Sequence, residues 1–558
     1  MCMGRLKSLV FIALIITTIL VACSPVKAAE STLAPTVATL PDPTDRPTDG
    51  VRQFKIFLDP KLPTDFRESF KISDPIILTD GNDNIETIVS INSEGESIAN
   101  WVYALVAPFP TLDDSIGLDE LKLAWQTEGV NFEKFGALWM SEDTHAVFKK
   151  MWGEPARNGV KIVAEEDFVN QCWDAEKCWG IIPFEQIEPR LKVLYVDGLS
   201  PLQRGELDTA YPLQVNITLT GDQEVINKIE TLSVDHKVAW KKTNRDPQKF
   251  TLLVMTGVTA LVRATAERMD TLGVTYPGRD IKHWLVEADL THVCNEVSFD
   301  SRCPPGNPNQ LSLQFCSRDE YIGLLEDMGV DIVELSGNHV MDWGVSALLN
   351  TLDMYDERGI KTYAGGRDLA SANQPLLIED HGNRLAFMGC NPAGPKYAWA
   401  TERSPGSLPC EYPEFYETIA RLKEEGYQVI VTQQYFESYS HEPNISQVTD
   451  FRKLTDAGAV IVSGSQSHFP QAMEFRDSGF IHYGLGNLFF DQMTFPNPGT
   501  RREFIDRHYF YDGQYIGTEL LTAMLEDYAR PRPMTDEERK QLLTDIFRAS
   551  GWLKEVQK

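Results

Sequence analysis

The sequence predicts an α/β protein built from more than one domain. Short apolar runs typical of β-strands alternate with amphipathic helical segments through its second half, as they do in βαβ units. Four of these runs are followed at once by small polar residues, and α/β proteins gather their functional groups at the carboxyl ends of strands. A chain of 558 residues is also too long for one ordinary hydrophobic core.

The composition is that of a globular protein with a strongly acidic surface. Hydrophobic residues make up 42% of the chain and charged residues 24%. The 81 acidic residues outnumber the 52 basic ones, which gives a formal net charge of −29. This charge would repel the phosphates of nucleic acid, so nucleic acid is not an expected partner. It also disfavours polyanionic ligands unless a local basic groove or a metal intervenes.

Residues 1–23 have the pattern of a bacterial lipoprotein signal peptide. Two basic residues precede an apolar stretch over residues 8–22, which is short for a membrane span. The stretch ends in Leu20-Val-Ala-Cys23, which resembles a lipobox, so Cys23 would be acylated and become the mature N-terminus. We therefore expect an extracytoplasmic protein anchored to the bacterial cell membrane, with a secretory signal cleaved near Ala28 as the alternative. Residues 24–50, rich in Pro, Thr, Ala and Asp, predict an extended tether.

The cysteines fit an oxidising compartment. Nine are present, of which Cys2 and Cys23 lie near the N-terminus, and none forms the CxxC motif that would indicate a zinc knuckle. The remaining seven allow three disulfides and one free thiol, for which the apolar run around Cys294 is the best place. The sequence predicts local disulfides between Cys172 and Cys178, Cys303 and Cys316, and Cys390 and Cys410.

Residues 51–235 predict a first, smaller α/β domain, with short apolar strands around a helix over 119–125. The segments 102–111, 180–184 and 192–198 resemble the type-2 periplasmic solute-binding fold, especially its phosphate-binding-like members. The resemblance implies that the domain binds a small solute. The sequence has no Ser, Thr or Gly cluster at a helix start to hold phosphate, so a scaffold or docking domain is the competing prediction.

Residues 250–495 predict the second domain. Ser317-Arg-Asp-Glu320 has the pattern of a capping box that would start a helix. A strand over 332–335 follows and delivers a polar loop, and another helix is expected over 345–358. This mixture of βαβ units and hairpins predicts a two-sheet α/β sandwich, with residues 496–558 peripheral to it.

Four strand-to-loop segments of the second domain carry the most information about function. They read Asp289-Leu-Thr-His-Val-Cys-Asn-Glu296, Ser336-Gly-Asn-His-Val-Met-Asp342, Gly464-Ser-Gln-Ser-His468 and Tyr483-Gly-Leu-Gly-Asn-Leu-Phe-Phe-Asp491. Their order, spacing and residue identity resemble the capsule-synthesis CapA family, also called the poly-γ-glutamate biosynthesis family, over roughly residues 250–495. The resemblance implies a metallophosphatase-like fold and a role in making, attaching or processing cell-surface polymers.

The resemblance also implies a metal site, because metallophosphatase-like sites hold two divalent cations with Asp, Glu, Asn and His side chains. In that site Glu296, Asn338 and His468 would be metal ligands. His339 would orient the substrate or act as general acid, paired with Asp342. The substrate pocket would include Asn295, Gln434 and Asn487.

Three segments depart from the family pattern. Val258 stands where the family has its leading aspartate, and Gln434 stands where it has a histidine. The paired histidines of the last metal loop are replaced by Ser465, Gln466 and Ser467, which leaves only His468. Losing an anionic ligand leaves two close dications less neutralised, so a complete two-metal centre is not expected. One divalent metal (Mn, Fe or Zn) and no metal at all both remain compatible with this ligand set.

These observations predict a cell-surface lipoprotein that takes part in the synthesis or attachment of a capsule or poly-γ-glutamate-type polymer. Its metal site would be degenerate, and its partners would be the polymer or envelope proteins. One alternative is a metal-dependent hydrolase or transferase with a remodelled mononuclear site, and another is an extracytoplasmic phosphate-like solute receptor. Whether the protein is an enzyme stays open, but no GxSxG elbow, Walker A loop or GxGxxG motif follows a strand.

Overall fold

The computed structural model describes residues 52–553 except 82–83, 93, 127–135, 478 and 495–496. The predicted signal peptide, its Cys23 and the predicted tether therefore lie outside the described residues. Gln53–Lys558 form one compact unit, in which an N-terminal module and a C-terminal module beginning at Phe250 share part of their hydrophobic core.

The N-terminal module is organised around one mixed sheet. Its strands are β1 (Phe54–Leu58), β2 (Ile76–Leu78), β3 (Thr87–Ile91), β4 (Glu96–Pro108), β5 (Ser115–Ile116), β6 (Leu138–Met140), β7 (Val160–Ile162), β8 (Trp179–Pro183), β9 (Leu191–Val196) and β10 (Gln214–Gly221). The strand order is β2-β1-β3-β10-β4-β8-β6-β7, with β9 paired to β4 and β5 paired to β9. Strand β4 joins the two halves of the sheet because it pairs first with β10 and then with β8 and β9.

Five α-helices of the N-terminal module lie in the described residues. They are Thr64–Ser69, Leu118–Gln126, Glu142–Trp152, Glu165–Asp174 and Gln223–Val234. The helix predicted over 119–125 corresponds to Leu118–Gln126 and buries Leu121 and Trp125 against the sheet, one helical turn apart.

The C-terminal module contains two larger sheets, as the predicted α/β sandwich requires. Its strands are β11 (Phe250–Thr259), β12 (Leu290–Asn295), β13 (Ile332–Glu334), β14 (Lys361–Tyr363), β15 (Gly365–Gly366), β16 (Leu376–Asp380), β17 (Asn383–Cys390), β18 (Gly406–Ser407), β19 (Gln428–Gln434), β20 (Ile461–Ser465), β21 (Met473–Arg476), β22 (Gly479–His482), β23 (Asn487–Phe489), β24 (Arg502–Tyr511), β25 (Gln514–Glu526) and β26 (Arg530–Pro533). Its α-helices are Arg263–Leu272, Lys282–Val286, Ile322–Asp327, Val345–Arg358, Leu369–Ala372, Tyr412–Glu424, Ile445–Ala457 and Asp536–Ala549.

The strand order brings the ends of several strands to one edge of the module. The first sheet runs β14-β13-β12-β11-β24-β25-β26, with β23 also paired to β11, and the second runs β16-β17-β19-β20-β22-β21. Strands β11 to β14 are parallel to one another, as are β17, β19, β20 and β22. Parallel strands present their carboxyl ends together, which is where the polar loops predicted from the sequence begin.

The expectation that residues 496–558 are peripheral is wrong. Strand β24 pairs antiparallel with β11 in the middle of the first sheet, and β25 pairs with β24 along its whole length. The helix Asp536–Ala549 buries its apolar face, including Leu542 and Phe547. In the sequence, the many charged residues on the opposite face of that helix obscure its apolar face, and the polar residues of β24 make a central strand look solvent-exposed.

The predicted capping box at Ser317-Arg-Asp-Glu320 is also wrong. The hydroxyl of Ser317 donates to the carbonyl oxygen of Leu261 at 3.1 Å instead of capping a helix. The segment begins as a 3₁₀ turn over Asp319–Tyr321 and continues as the short helix Ile322–Asp327. A buried tertiary partner therefore outcompetes the local cap.

The three predicted disulfides, Cys172–Cys178, Cys303–Cys316 and Cys390–Cys410, are present. Cys294 is the free cysteine among the described residues and is buried, as predicted. None of the helices in the part of the chain that the structure describes combines the length and the apolar character that crossing a membrane would need.

Candidate functional site

A cavity of about 330 Å³ lies where the carboxyl ends of the two sheets meet. Glu296 directly follows β12, Asn338 and His339 lie in the loop after β13, and Gln466 and His468 follow β20. The residues that line the cavity are Arg263, Glu296, Leu313, Phe315, Asn338, His339, Glu437, Tyr439, Gln466, His468, Phe490 and Gln492. The motifs that stood out in the sequence thus converge on one place.

Close backbone packing holds two of the motif loops beside each other. A Cβ atom at Gly337 would lie 2.3 Å from the Cα atom of Glu296, so only glycine permits this approach. The contact places the next residue, Asn338, beside the Glu296 carboxylate.

The loop after β20 has an unusual backbone conformation. Gln466 and His468 have positive φ values of 75° and 53°. This conformation costs an L-residue about 1 kcal/mol and is found at functional sites.

The side-chain amide of Gln434, the last residue of β19, lies at the centre of a closed hydrogen-bond network. Its Nε2 atom donates to Glu296 Oε2 at 2.9 Å and to Asn338 Oδ1 at 3.2 Å, and it also contacts Gln466 Oε1. On the other side its Oε1 atom accepts from the Ser465 hydroxyl at 2.6 Å.

The free cysteine supports this orientation of the Gln434 amide. The Cys294 thiol donates to Gln434 Oε1 at 3.7 Å, and burial raises the pKa of that thiol so that it keeps its proton. With donors on the oxygen side and acceptors on the nitrogen side, the amide has one self-consistent orientation.

The residues present do not fit the pair of divalent cations that the family resemblance implies. Val258 is fully buried at the end of β11 and has no ligand atom to offer. The oxygen atoms of Glu296, Asn338 and Gln466 converge on the Gln434 Nε2 atom, whose N–H bonds direct positive partial charge to the point where a cation would lie. Glu296 is the one carboxylate among the oxygens that meet at Gln434, whereas two close dications would need several anionic ligands.

Among the described residues, a group whose metal-ligating atoms do come together lies elsewhere. Asp289, Asp380 and His381 each offer one such atom, and these lie within 4.8 Å of one another. Asp289 precedes β12, at the opposite end of that strand from Glu296, so this group does not contribute to the cavity.

His339 is held by a buried carboxylate. Its Nδ1 atom lies 2.6 Å from Asp342 Oδ2, and Asp342 also accepts from the Phe315 backbone N–H at 2.9 Å and the Tyr397 hydroxyl at 3.0 Å. Burial alone would lower the pKa of His339, but the hydrogen bond to Asp342 and the negative charges of Glu296 and Asp342 outweigh it and raise that pKa. The arrangement leaves Nε2 as the ring nitrogen that can serve a ligand.

The two asparagines predicted to line the pocket have other positions. Asn487 does not line the cavity, since its Oδ1 atom pairs with Nδ1 of His468 at 2.8 Å and fixes that ring from behind. Asn295 points away, because its Nδ2 atom donates to the Tyr355 hydroxyl at 2.7 Å in the helical layer. Asn295 and Glu296 are neighbours at a strand end and face opposite sides, so only one of them can reach the cavity.

The sequence reasoning missed Arg263. Its guanidinium lies about 5 Å from the ring centres of Phe315 and Phe490, and it forms an ion pair with Asp491. Asp491 closes one of the four motif segments, which was a usable signal. Arg263 itself belongs to none of the motifs. It reaches the cavity because the start of the helix Arg263–Leu272 lies beside the distant segment that ends at Asp491.

The family model described as "Bacterial capsule synthesis protein PGA_cap" matches residues 251–492. Over 174 residues the chain is 29% identical to the PGA biosynthesis protein CapA of Bacillus subtilis (strain 168). That match covers 31% of this chain and 46% of the relative, so the chain spans about half the length of this curated relative. The matched region contains every motif residue that lines the cavity.

Two solved structures overlap parts of the fold. The Haemophilus influenzae NAD nucleotidase has a TM-score of 0.31 at 10% identity and covers 53% of this chain and 56% of its own. An ABC-type phosphate transport receptor from Vibrio cholerae has a TM-score of 0.24 at 9% identity and covers 34% of this chain and 100% of its own. These scores are too low for the activities in those names to be carried to this protein. The matched family model and the motifs around the cavity show that residues 251–492 of this chain are similar to the bacterial capsule synthesis family of CapA.

Proposed function

We propose that this protein is a non-catalytic accessory protein in the synthesis or attachment of a capsule- or poly-γ-glutamate-type polymer at the bacterial cell surface. The similarity of residues 251–492 to the capsule synthesis family supports the link to such polymers. The observation that carries the non-catalytic part is the position of the Gln434 amide, whose nitrogen lies where the oxygens of Glu296, Asn338 and Gln466 converge.

A binding role follows from the chemistry of this site. Two-metal hydrolysis needs ions that hold both the attacking and the leaving oxygen, and the residues around Gln434 provide hydrogen bonds instead of anionic ligands. The two histidines remain directed at the cavity, each held from behind by Asp342 or Asn487. A site of preorganised hydrogen-bond donors and acceptors can recognise a ligand without cleaving it.

A location at the cell surface is part of the proposal. Three disulfides favour an oxidising compartment, in agreement with the signal-peptide pattern and the lipobox-like Cys23 of the sequence. The anchor would hold the protein where a surface polymer is assembled or attached.

The test of the non-catalytic site is the metal content of the mature protein after stripping and reconstitution with Mn²⁺, Fe²⁺ or Zn²⁺. We expect well below one ion per chain. A matched variant that combines Val258→Asp, Gln434→His and Gln466→His should gain stoichiometric metal, and the double variant without the buried Val258→Asp change guards against a folding failure. Two ions per wild-type chain, reduced by Asn338→Ala or His468→Ala, would make the protein a metallohydrolase. One ion lost in the same way would establish the mononuclear alternative.

The polymer role is tested in the bacterium that carries the gene. Deletion of the gene should lower the amount of cell-bound polymer, and the wild-type gene should restore it. A variant that replaces the lipobox cysteine, Cys23→Ala, separates the contribution of the anchor from that of the folded part. Unchanged cell-bound polymer in the deletion strain would contradict the proposal.

A further inference from the structure

A second open cavity adjoins the first and enlarges the space available to a ligand. It measures about 510 Å³ and lies beside the loop that the Cys303–Cys316 disulfide closes. Arg263 lines both cavities. Asp342 lines the second cavity, while its partner His339 lines the first. The two cavities therefore meet at Arg263 and the His339–Asp342 pair, and together they are called the groove below.

Carboxamides and aromatic rings dominate the functional groups of this groove. Six carboxamide side chains line it: Asn307, Gln310 and Gln314 in the second cavity and Asn338, Gln466 and Gln492 in the first. Five aromatic residues line it as well; Trp343 and Tyr439 are partly exposed and offer ring surface to a ligand, while Tyr321, Phe315 and Phe490 are buried behind them. Carboxamides both donate and accept hydrogen bonds, as hydroxyl and acetamido groups of a ligand require, and aromatic faces pack against flat apolar surfaces.

One of these carboxamides lacks a hydrogen-bond partner. The Oε1 atom of Gln492 is buried and accepts no hydrogen bond from the described residues, although the side chain lines the first cavity. An unsatisfied buried acceptor is unfavourable by about 1–3 kcal/mol, and a hydroxyl or N–H group of a ligand would relieve it. The oxygens of Asn338 and Gln466 both lie against the Gln434 Nε2 atom, so their amide nitrogens are the atoms that can donate to a ligand.

The charges of the groove favour a neutral ligand. Among the described residues that line the two cavities, the basic side chains are Arg263, His339 and His468. Arg263 is paired with Asp491 and His339 with Asp342. Glu296 and Glu437 add negative charge to the lining, so a polyanion would meet repulsion there.

We infer that this groove binds a neutral oligosaccharide, with sugar rings on its aromatic side chains and hydroxyl or acetamido groups on its carboxamides. The inference rests on the proposed function, since it names the ligand of that same site, and it assigns the groove to a glycan rather than to a polyanionic polymer. Trp343 and Gln492 lie in the second and first cavity, so a ligand long enough to reach both is the one the groove fits best.

The experiment is calorimetric titration of the mature protein with the tetramer of N-acetylglucosamine, with maltotetraose, and with a poly-γ-glutamate oligomer. We expect one of the two tetrasaccharides to bind more tightly than its own dimer, and the glutamate oligomer not to bind. Gln492→Leu should weaken binding about five- to tenfold, the effect of one lost hydrogen bond. Trp343→Ala should weaken it independently from the other cavity, and Gln541→Ala, on the exposed side of the C-terminal helix, should leave it unchanged.

The inference is overturned if neither tetrasaccharide binds, if binding is the same in Gln492→Leu and Trp343→Ala as in the wild type, or if only the glutamate oligomer binds. Gln492→Leu removes the unsatisfied buried acceptor, so its thermal unfolding temperature should be equal to or above that of the wild type, and that of Trp343→Ala should match the wild type; binding lost under these conditions is lost contact and not lost folding. The two proposals fail separately. A deletion strain that loses its polymer while the protein binds no oligosaccharide refutes the groove assignment alone, whereas oligosaccharide binding with unchanged cell-bound polymer refutes the proposed function alone.

Discussion

Acidification should destabilise the protein through the buried histidine His508. This residue belongs to β24 of the first sheet, and its side chain lies between the two sheets, almost fully buried. Its Nδ1 atom pairs with the Thr518 hydroxyl at 2.7 Å. Burial lowers the pKa of His508 to about 4, and nearby His482 acts in the same direction while Asp506 opposes it. The folded protein therefore keeps the ring neutral at a pH where the unfolded chain already binds a proton.

The sign and size of the effect follow from this difference. A pKa lowered by folding contributes stability that is complete above the unfolded pKa and is lost as pH falls through the folded one. The gap between the ordinary value of 6.5 and a folded value of about 4 corresponds to about 3 kcal/mol, at about 1.4 kcal/mol per pH unit. The stability should accordingly fall between about pH 6.5 and pH 4.

The assay is urea unfolding followed by tryptophan fluorescence, at steps between pH 7 and pH 4.5. The His508→Gln variant keeps a hydrogen-bonding group beside Thr518 but cannot titrate. Over this range, which ends above the folded pKa, we expect the wild type to lose about 2.4 kcal/mol more unfolding free energy than the variant. His236→Gln, at an exposed histidine, is the control and should follow the wild type. If His508→Gln and the wild type show the same pH dependence, the reasoning about burial is wrong.

Two further substitutions test individual side chains. Asp342→Asn should lower the pKa of His339, because it removes a negative charge and weakens the hydrogen bond that raises this pKa, while the ring stays buried. NMR titration of the ring protons measures the pKa, and an unchanged value would refute the prediction. Glu503 is fully buried, burial raises its pKa, and neither carboxyl oxygen has a hydrogen-bond partner among the described residues. Glu503→Met should therefore raise the free energy of unfolding at neutral pH by about 1–3 kcal/mol in urea denaturation, and a decrease would show that an unrecognised partner stabilises the carboxyl group.

The sequence was sufficient to predict those residues of the candidate site that belong to short motifs at strand ends. Glu296, Asn338 and His468 belong to three motifs far apart in the chain, and parallel strands bring such loops to one edge without further information. The sequence could not show that Asn295 faces the helical layer, because the alternation of a strand determines that two neighbours diverge but not which one faces the cavity. Nor could it show that Gln434 contacts Gln466, since that contact depends on side-chain orientation across two strands.

The error about the C-terminal segment has a different physical origin. Strand β24 is central, yet it contains buried Glu503, Asp506, Arg507 and His508, which a pattern-based reading assigns to a solvated surface. The burial of Asp506, Arg507 and His508 depends on partners contributed by β22 and β25. Such long-range compensation of polar residues is visible only in three dimensions.

The pairing of β11 with β24 also constrains when folding can be completed. Phe250 at the start of β11 pairs with Tyr511 of β24, so β11 cannot complete its pairing until β24, which is synthesised much later, is available. Contacts of such large sequence separation form slowly, and the unpaired strand is open to wrong partners in the meantime. An intermediate that ends before β24 would expose one whole side of β11. If the chain is exported unfolded, a holding chaperone on the far side of the membrane would be needed until the last strands have emerged.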